Sequence, residues 1–510
     1  MLRRTSLLHA AAVGFAAGLL AVLFQVSVAR AEKAGLAIAS RALSHGPATI
    51  ILFLLAAAAI AGLTAWAIGR WAPESGGSGI PHIKAALLHL KVIRPIGLIV
   101  AKFLGGLAAL FVGMSLGREG PTVQMGASVG HLLGTSLRAP RRARGSLVAA
   151  GAGAGLAAAF NAPLAGFLFV MEELKREMSA LTYGAALVAS VCAVFVTRYI
   201  LGPQPSFHIP NPGAAPLSIL PFTALLGLFA GLAGVLFNRG LLLALNLRTI
   251  YKVPRWAYGL VVGALAGAAL LFLPQMTGGG HAVAERLLSG AQTFHPTLAF
   301  IGILFAGKLL LTCASYGTGV PGGIFAPILV MGSLIGYGFG IAVHAWIPGV
   351  QFSTEGFATL GMAAMLASSV RAPLTGVVLI VEMTAEYGLL YALLVSAFVA
   401  MLVADALRDK PIYEALMERD LRMSGAEVHP DEEPILLEIL VEPHSTMDGR
   451  RVRHLGLPPG TLVATLERGS QHIVPGGSTL LVAGDMITVM IDGSKPELSQ
   501  IVHEAAKAPA

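Results

Sequence analysis

Glu119 is the residue around which any chemistry must be built: it stands in the run G-R-E-G-P (117–121), a lone carboxylate inside an otherwise apolar stretch. An ionisable group at membrane depth is expensive, and it marks a substrate or proton pathway by default. Three further motifs converge on the same chemistry: G-S-G-I-P (77–81), G-G-I-F-A-P (322–327) and the pair Glu172-Glu173, which ends an apolar helix. Gly-rich turns that open into helices present backbone N–H groups that no carbonyl satisfies, and the helix dipole adds partial positive charge. Such ends hold anions without a full cation. Apart from Arg118 these turns carry no fixed positive charge, which suits an ion that binds weakly at several sites and leaves again. Glu119, at one of these helix starts, would occupy the anion position when ionised and vacate it when protonated. It would then be gate and proton carrier together.

The elements that must position these residues follow from composition. Of 510 residues, 55% are hydrophobic and only 12% charged, and the mean hydropathy is +0.75; soluble domains carry about 25% charged residues. The chain is a polytopic membrane protein. Apolar runs at 7–28, 46–69, 97–116, 146–171, 215–246, 355–381 and 387–407 approach the roughly 17–25 residues of a spanning helix. Other runs are shorter or interrupted, and 61 Gly and 29 Pro imply helices broken at membrane depth, a transport signature. The run after Arg3 and Arg4, with Ala29-Arg30-Ala31 behind it, imitates a signal peptide but is longer than the usual apolar region of one; it is read as the first helix. Two cysteines, Cys192 and Cys313, suggest neither a disulfide framework nor a metal site. The net charge of +8 lies at segment ends, a loop bias and not a nucleic-acid face.

An internal repeat sets the architecture. A shift of 206 residues superimposes Lys102 on Lys308, Gly113 on Gly319, Gly117 on Gly323, Pro121 on Pro327, Met125 on Met331, Gly126 on Gly332 and Gly130 on Gly336. With the shift grown to 210, Ala162-Pro163-Leu164 through Glu172 falls on Ala372-Pro373-Leu374 through Glu382. Two copies of one unit are expected, about 30–205 and 215–408. Residues 138–146 carry four arginines and the equivalent 344–352 carry no Arg or Lys, so the first loop is read as cytoplasmic and the second as external. The repeats are then inverted, with binding near the midplane. After about residue 408 ordinary charged sequence begins, followed by a polar linker at 424–433. Short alternating runs at 435–441, 461–467 and 480–491, separated by Pro458-Pro459-Gly460 and Gly476-Gly477, predict β-strands of a small separate domain.

In the order in which these motifs occur, the chain over about residues 10–415 resembles the CLC family of chloride channels and chloride/proton exchangers. The resemblance implies an all-α polytopic membrane fold of two inverted-topology repeats with broken helices, acting as a homodimer with one pore per subunit, and no cofactor. It implies that Glu119 is the external gating and proton glutamate, and that Glu173 is the internal proton glutamate with Glu172 as a possible accessory. Chloride would be bound by the Ser78 hydroxyl, by Gly79, by the backbone N–H groups of Ile324 and Phe325, and by the Tyr413 hydroxyl in K-P-I-Y. In that family, exchangers keep a protonatable residue at the Glu173 position, and a serine at the Ser78 position goes with chloride selectivity. The expected activity is therefore proton-coupled chloride antiport, with a passive chloride channel as the alternative. Residues 434–510 resemble the TrkA-C regulatory domain through G-R-R-V-R-H-L-G-L-P, P-G-G-S-T-L and Gly484-Asp485. That implies a small cytoplasmic α+β domain, mostly β, sensing an unknown small ligand or making dimer contacts. The expected organisation is a membrane domain at 1–415, a linker at 416–433 and this domain at 434–510, with lipid as the surroundings and a bacterial inner membrane as the location suggested by the domain pairing.

Plainer readings compete. Glu119 paired with Arg118 would be structural, but sequence neighbours on a helix do not face each other. Glu172 and Glu173, followed by Lys175 and Arg176, would on residues alone simply mark a helix end. Lys102 and Lys308 read as interior electrostatic or snorkelling residues; Arg371 and Glu382 read as packing, capping or dimer features. Gly76-Gly77-Ser78-Gly79 fits the G-x-S-G of intramembrane serine proteases, and Gly126-Ala127-Ser128-Val129-Gly130 fits a nucleophile elbow, which needs a strand before its serine. Neither protease reading explains the repeat or Glu119, so no enzyme is expected. Gly151–Gly155 lacks the βαβ context of a nucleotide loop.

Overall fold

The computed structural model describes residues 2–175, 180–207, 209, 215–290, 296–423, 435–469, 471–491 and 497–506. The chain forms two compact units, Met1–Met417 and Glu418–Ala510. Among the described residues of the first, nine helices are long and apolar enough to cross a membrane.

Where the apolar runs break, the backbone gives the reason. The predicted run 146–171 is two helices, Arg141–Phe160 and Pro163–Phe169, turned at Asn161 with φ 59°. Its repeat partner, 355–381, is likewise Thr354–Val370 and Pro373–Thr384, turned at Arg371 with φ 66°. A left-handed residue followed by a proline that cannot continue the helix ends each one. The first helix, in contrast, is longer than expected: Leu2–Ser44 runs through the charged residues that had suggested its end near 28.

The repeat extends further back than the offsets of 206 and 210 indicated. Pro73–Ser75 and Pro274–Met276 are matching 3-10 turns, followed by the short helices Ile80–Leu87 and His281–Leu288. Gly79 and Gly280, each with positive φ (85° and 82°), start them. Lys102 and Lys308 have matching tasks. Lys102 Nζ donates to the Ser75 and Gly77 carbonyls at 2.9 and 2.6 Å, and Lys308 Nζ donates to the Met276 and Gly278 carbonyls at 3.3 and 3.1 Å. Each lysine therefore ties together the buried carbonyls of a broken-helix turn.

Within each repeat a helix pair packs backbone to backbone. Helix Glu119–Ser136 meets Arg141–Phe160 where a Cβ on Gly126 would strike the Gly151 carbonyl, and Phe325–Trp346 meets Thr354–Val370 where a Cβ on Gly332 would strike the Gly361 carbonyl. Small residues of this kind let membrane helices approach closely, so Gly151–Gly155 is a helix contact surface. Ser128 lies in mid-helix and donates to the Gln124 carbonyl, without the strand that a nucleophile elbow requires.

The second unit contains a four-stranded antiparallel sheet: β1 (Ile435–Leu440), β2 (Thr461–Arg468), β3 (Gln471–Ile473) and β4 (Met486–Ile491), in the order β1-β4-β2-β3. Two elements were not anticipated, β3 and the helix Glu497–Ala506, and the predicted strand at 480–491 begins only at Met486. The Gly484-Asp485 turn has a specific task. Asp485 accepts from Arg468 Nε at 2.7 Å and from the Val482 N–H at 2.9 Å. Burial works against its charge, but these bonds and the guanidinium outweigh it and hold the carboxyl below its ordinary value. The start of the predicted linker, 416–423, closes the helix Ile412–Met423; its remainder, 424–433, and Arg176 lie outside the described residues.

Candidate anion and proton site

Three signature loops meet at one point and are tied together by backbone hydrogen bonds. The Gly77 N–H donates to the Val320 carbonyl and the Gly322 N–H to the Gly77 carbonyl, both at 3.0 Å, while Gly117 and Gly323 exchange two bonds at 2.7 Å. Gly117 and Gly323 are repeat-equivalent, and their antiparallel bridge puts the pseudo-two-fold axis of the molecule at this junction. Three helices start here, Ile80–Leu87, Glu119–Ser136 and Phe325–Trp346, and none is capped by the side chain of its own N-cap residue. Their free N–H groups and dipoles converge on a buried space that favours negative charge.

Two hydroxyls line it. Ser78 and Tyr413 are fully buried, and among the described residues their hydroxyls have no partner beyond each other. The Ser78 hydroxyl abuts Gly120, where an added Cβ would collide with it, and lies within interaction range of the Tyr413 hydroxyl. Buried hydroxyls are normally paired, and a bond between these two uses only one of their protons, so one O–H donor is left for an acceptor. With no base positioned on it, the Ser78 oxygen also lacks the arrangement of a protease nucleophile. The Ser78 N–H is used elsewhere, donating to the Tyr316 hydroxyl at 3.3 Å. Gly79 has to be glycine on two counts: its φ is 85° and a Cβ would run into the Gln124 side chain.

Glu119 is the first residue of its helix and fully buried. Its carboxylate folds back over Gly117 toward the backbone of Ala326, at the start of the Phe325 helix. Neither oxygen makes a well-aligned hydrogen bond to a described residue. Arg118 is close in charge, Nε to Oε1 3.9 Å, but too far to be bonded.

Glu173 lies in a π-helical turn, Val170–Lys175, and is 1% exposed. Such single-turn bulges recur at functional sites. Its Oε1 receives Lys84 Nζ at 2.7 Å, an almost wholly buried ion pair. The sequence reading missed Lys84; the available signal was a lysine six residues after Ser78 on the short helix that G-S-G-I-P opens. Neighbouring Glu172 is committed elsewhere. It accepts from the Leu374 and Thr375 N–H groups at 3.2 and 2.7 Å and from the Thr375 hydroxyl at 2.7 Å, capping the helix Pro373–Thr384 of the other repeat. Glu382 returns the arrangement, accepting from the Leu164 and Ala165 N–H groups at 3.0 and 2.8 Å. With both oxygens engaged, Glu172 is a clamp between repeats, which argues against an accessory proton role; Glu382 is the cap that its sequence context suggested. Replacing Glu172 by alanine is expected to lower stability by about 2–3 kcal/mol, the scale of lost charge-assisted bonds, read as a lower unfolding midpoint in detergent. A shifted proton-to-chloride ratio at unchanged stability would instead restore the accessory role.

Comparison with known proteins agrees with this geometry. Residues 57–405 match the family model described as voltage gated chloride channel, and residues 436–495 match that of the TrkA-C domain. A Vibrio cholerae protein, "H(+)/Cl(-) exchange transporter ClcA", is 38% identical over 418 residues, covering 80% of this chain and 88% of the relative. A homologous protein of the same description from Cronobacter sakazakii is 37% identical over 439 residues, 83% and 91% of the two chains. The crystal structure of a slow cyanobacterial Cl-/H+ antiporter superimposes with a TM-score of 0.78 at 34% identity, over 82% of this chain and 99% of that one. A CLC-type fluoride/proton antiporter, at 20% identity and a TM-score of 0.65 over 79% and 95% of the two chains, shares the fold.

Proposed function

The chain belongs to the voltage gated chloride channel family, and on that premise we propose that this multi-pass membrane protein is a proton-coupled chloride antiporter, a transporter and not an enzyme. The carrying observation is that the buried Tyr413 hydroxyl faces that of Ser78 and has Glu119 and Glu173 both within interaction range. An anion held between the two hydroxyls therefore has two protonatable carboxylates within reach.

Chloride is bound by the Ser78 and Tyr413 hydroxyls and by the N–H groups of Ile324 and Phe325, with Gly79 giving the loop its turn. All are neutral donors, so the ion is held without a desolvated salt bridge and can leave. Ionised Glu119 competes for the same helix starts. Once protonated it no longer competes, and an anion enters as the proton moves on. Glu173 exchanges that proton with the opposite solution, and Lys84 holds its carboxylate in place. The helix carrying Glu119 runs toward the arginine-rich 138–146 loop, so Glu119 serves the outer face and Glu173 the inner one. We assign the C-terminal domain to the cytoplasm from the family and domain pairing. We assign a homodimer in a bacterial inner membrane, with a regulatory ligand or dimer contact at residues 434–510, from the family and domain pairing.

The test is proton flux in liposomes that hold a chloride gradient, with the membrane potential clamped near zero. Uphill proton movement by the intact protein that vanishes in Glu173→Ala supports coupled exchange. Rapid chloride flux with no proton movement in the intact protein means a passive channel.

A further inference from the structure

Glu119 itself has no exposed surface, so a proton from the outer solution needs a group that touches both. Among the described residues, one side chain that can both take up and release a proton does. His281, the first residue of the helix His281–Leu288, sets Nε2 3.4 Å from Glu119 Oε1, and its side chain is 31% exposed against 0% for Glu119. Its ring stacks on Phe207, with centroids 6.1 Å apart and planes 26° off parallel, which fixes the direction of the imidazole. The repeat-equivalent residue is Ile80, so the histidine is not a requirement of the fold's symmetry.

We propose that His281 is the proton relay between the outer solution and Glu119. The inference rests on the antiport reading above. An imidazolium gives its Nε2 proton to Glu119 Oε1, leaving a neutral carboxylic acid and a neutral imidazole that keeps its proton on Nδ1. When Glu119 turns away, Nε2 faces water and takes up the next proton; export runs through the same steps in reverse. A separation of 3.4 Å is slightly beyond hydrogen-bond length, as is common for transfer partners at rest. Further charges surround the pair: Arg118 before the Glu119 helix, Lys308 on Leu298–Gly317, and Glu32 on Leu2–Ser44. Burial, Arg118 and Lys308 all oppose a charge on the ring, so an imidazolium formed there is short-lived and passes its proton on.

The test is chloride efflux from liposomes at equal pH on both sides, where turnover requires proton delivery. His281→Ala and His281→Gln are both expected to slow efflux about tenfold, less than the roughly 10²–10⁴ of a direct transfer group because outer water remains a slower donor. Imidazole in the bath, but not a bulky buffer of equal pKa, restores the His281→Ala rate, and the effects of His281→Ala and Glu119→Ala do not add. Unchanged turnover in both variants overturns the relay. So does recovery in Gln alone, which would mean a polar contact, and so does a loss that imidazole does not rescue and that persists in the Glu119→Ala background. If the unmodified protein moves chloride without protons, antiport itself fails and the relay falls with it, an outcome visible before any variant is made.

Discussion

Replacing Glu119 by glutamine is expected to end proton transport, by about 100-fold or more, the lower end of what a positioned proton-transfer group contributes. The substitution keeps the shape of a side chain that is fully buried at its helix start and removes both its charge and its ability to carry a proton. A tenfold chloride gradient stores about 1.4 kcal/mol per ion, which a coupled protein converts into a measurable pH difference and the variant does not. The anion-binding groups, Ser78, Tyr413 and the Phe325 helix start, are untouched, so chloride binding by calorimetry should persist. A Glu119→Gln protein that still builds the proton gradient would remove this residue from the proton path.

Much of this architecture is legible in the chain because Gly and Pro mark backbone requirements that side chains cannot disguise. The offset of 206 was readable because Gly117, Gly126 and their partners Gly323 and Gly332 stand where two backbones meet. The further match of 73–87 with 274–288 was hidden: its offset differs, and Ser78 falls on a glycine, Ile80 on His281 and Lys84 on Glu285. The first helix was read as ending near residue 28 because Arg30, Glu32 and Lys33 interrupt the apolar run. Glu32 is answered from distant segments, by Arg118, Lys308 and the Gly279 backbone, and no local pattern reports that. The small domain followed the same rule. Its alternating strands were visible, while β3, three residues long, was too short to show a period; the Glu497–Ala506 helix did carry a signal, Leu498, Val502 and Ala506 buried at four-residue spacing, that the sequence reading passed over.

The two halves also separate scaffold from transport chemistry. Lys102 with Lys308, Glu172 with Glu382 and Asn161 with Arg371 occupy equivalent places and do equivalent structural work. The two carboxylates assigned to proton transfer have no such counterparts: Glu119 corresponds to Phe325, and Glu173 to Met383. A symmetric frame thus carries a proton-transfer carboxylate in one repeat and an apolar residue at its mirror position. That asymmetry gives one anion path two different ends.

The Lys84–Glu173 pair falls on the asymmetric side, and Lys84→Met is expected to destabilise the protein by about 3–5 kcal/mol, the usual effect of removing one partner of a buried ion pair. At 2.7 Å, with side-chain exposures of 8% and 1%, the ammonium is the nearest cation to a carboxylate that water barely reaches. Adding Glu173→Gln to Lys84→Met removes the stranded charge and should recover most of the lost unfolding midpoint, since replacing both members of such a pair is often neutral. Transport should not recover with it. The double variant has no internal proton carboxylate, so chloride-driven proton movement stays absent in a protein that is again well folded. If Lys84→Met were as stable and as well coupled as the unmodified chain, the lysine would be a bystander at the helix end. If the double variant regained coupling, Glu173 would have to be removed from the proton path, and the internal entry point sought on another side chain.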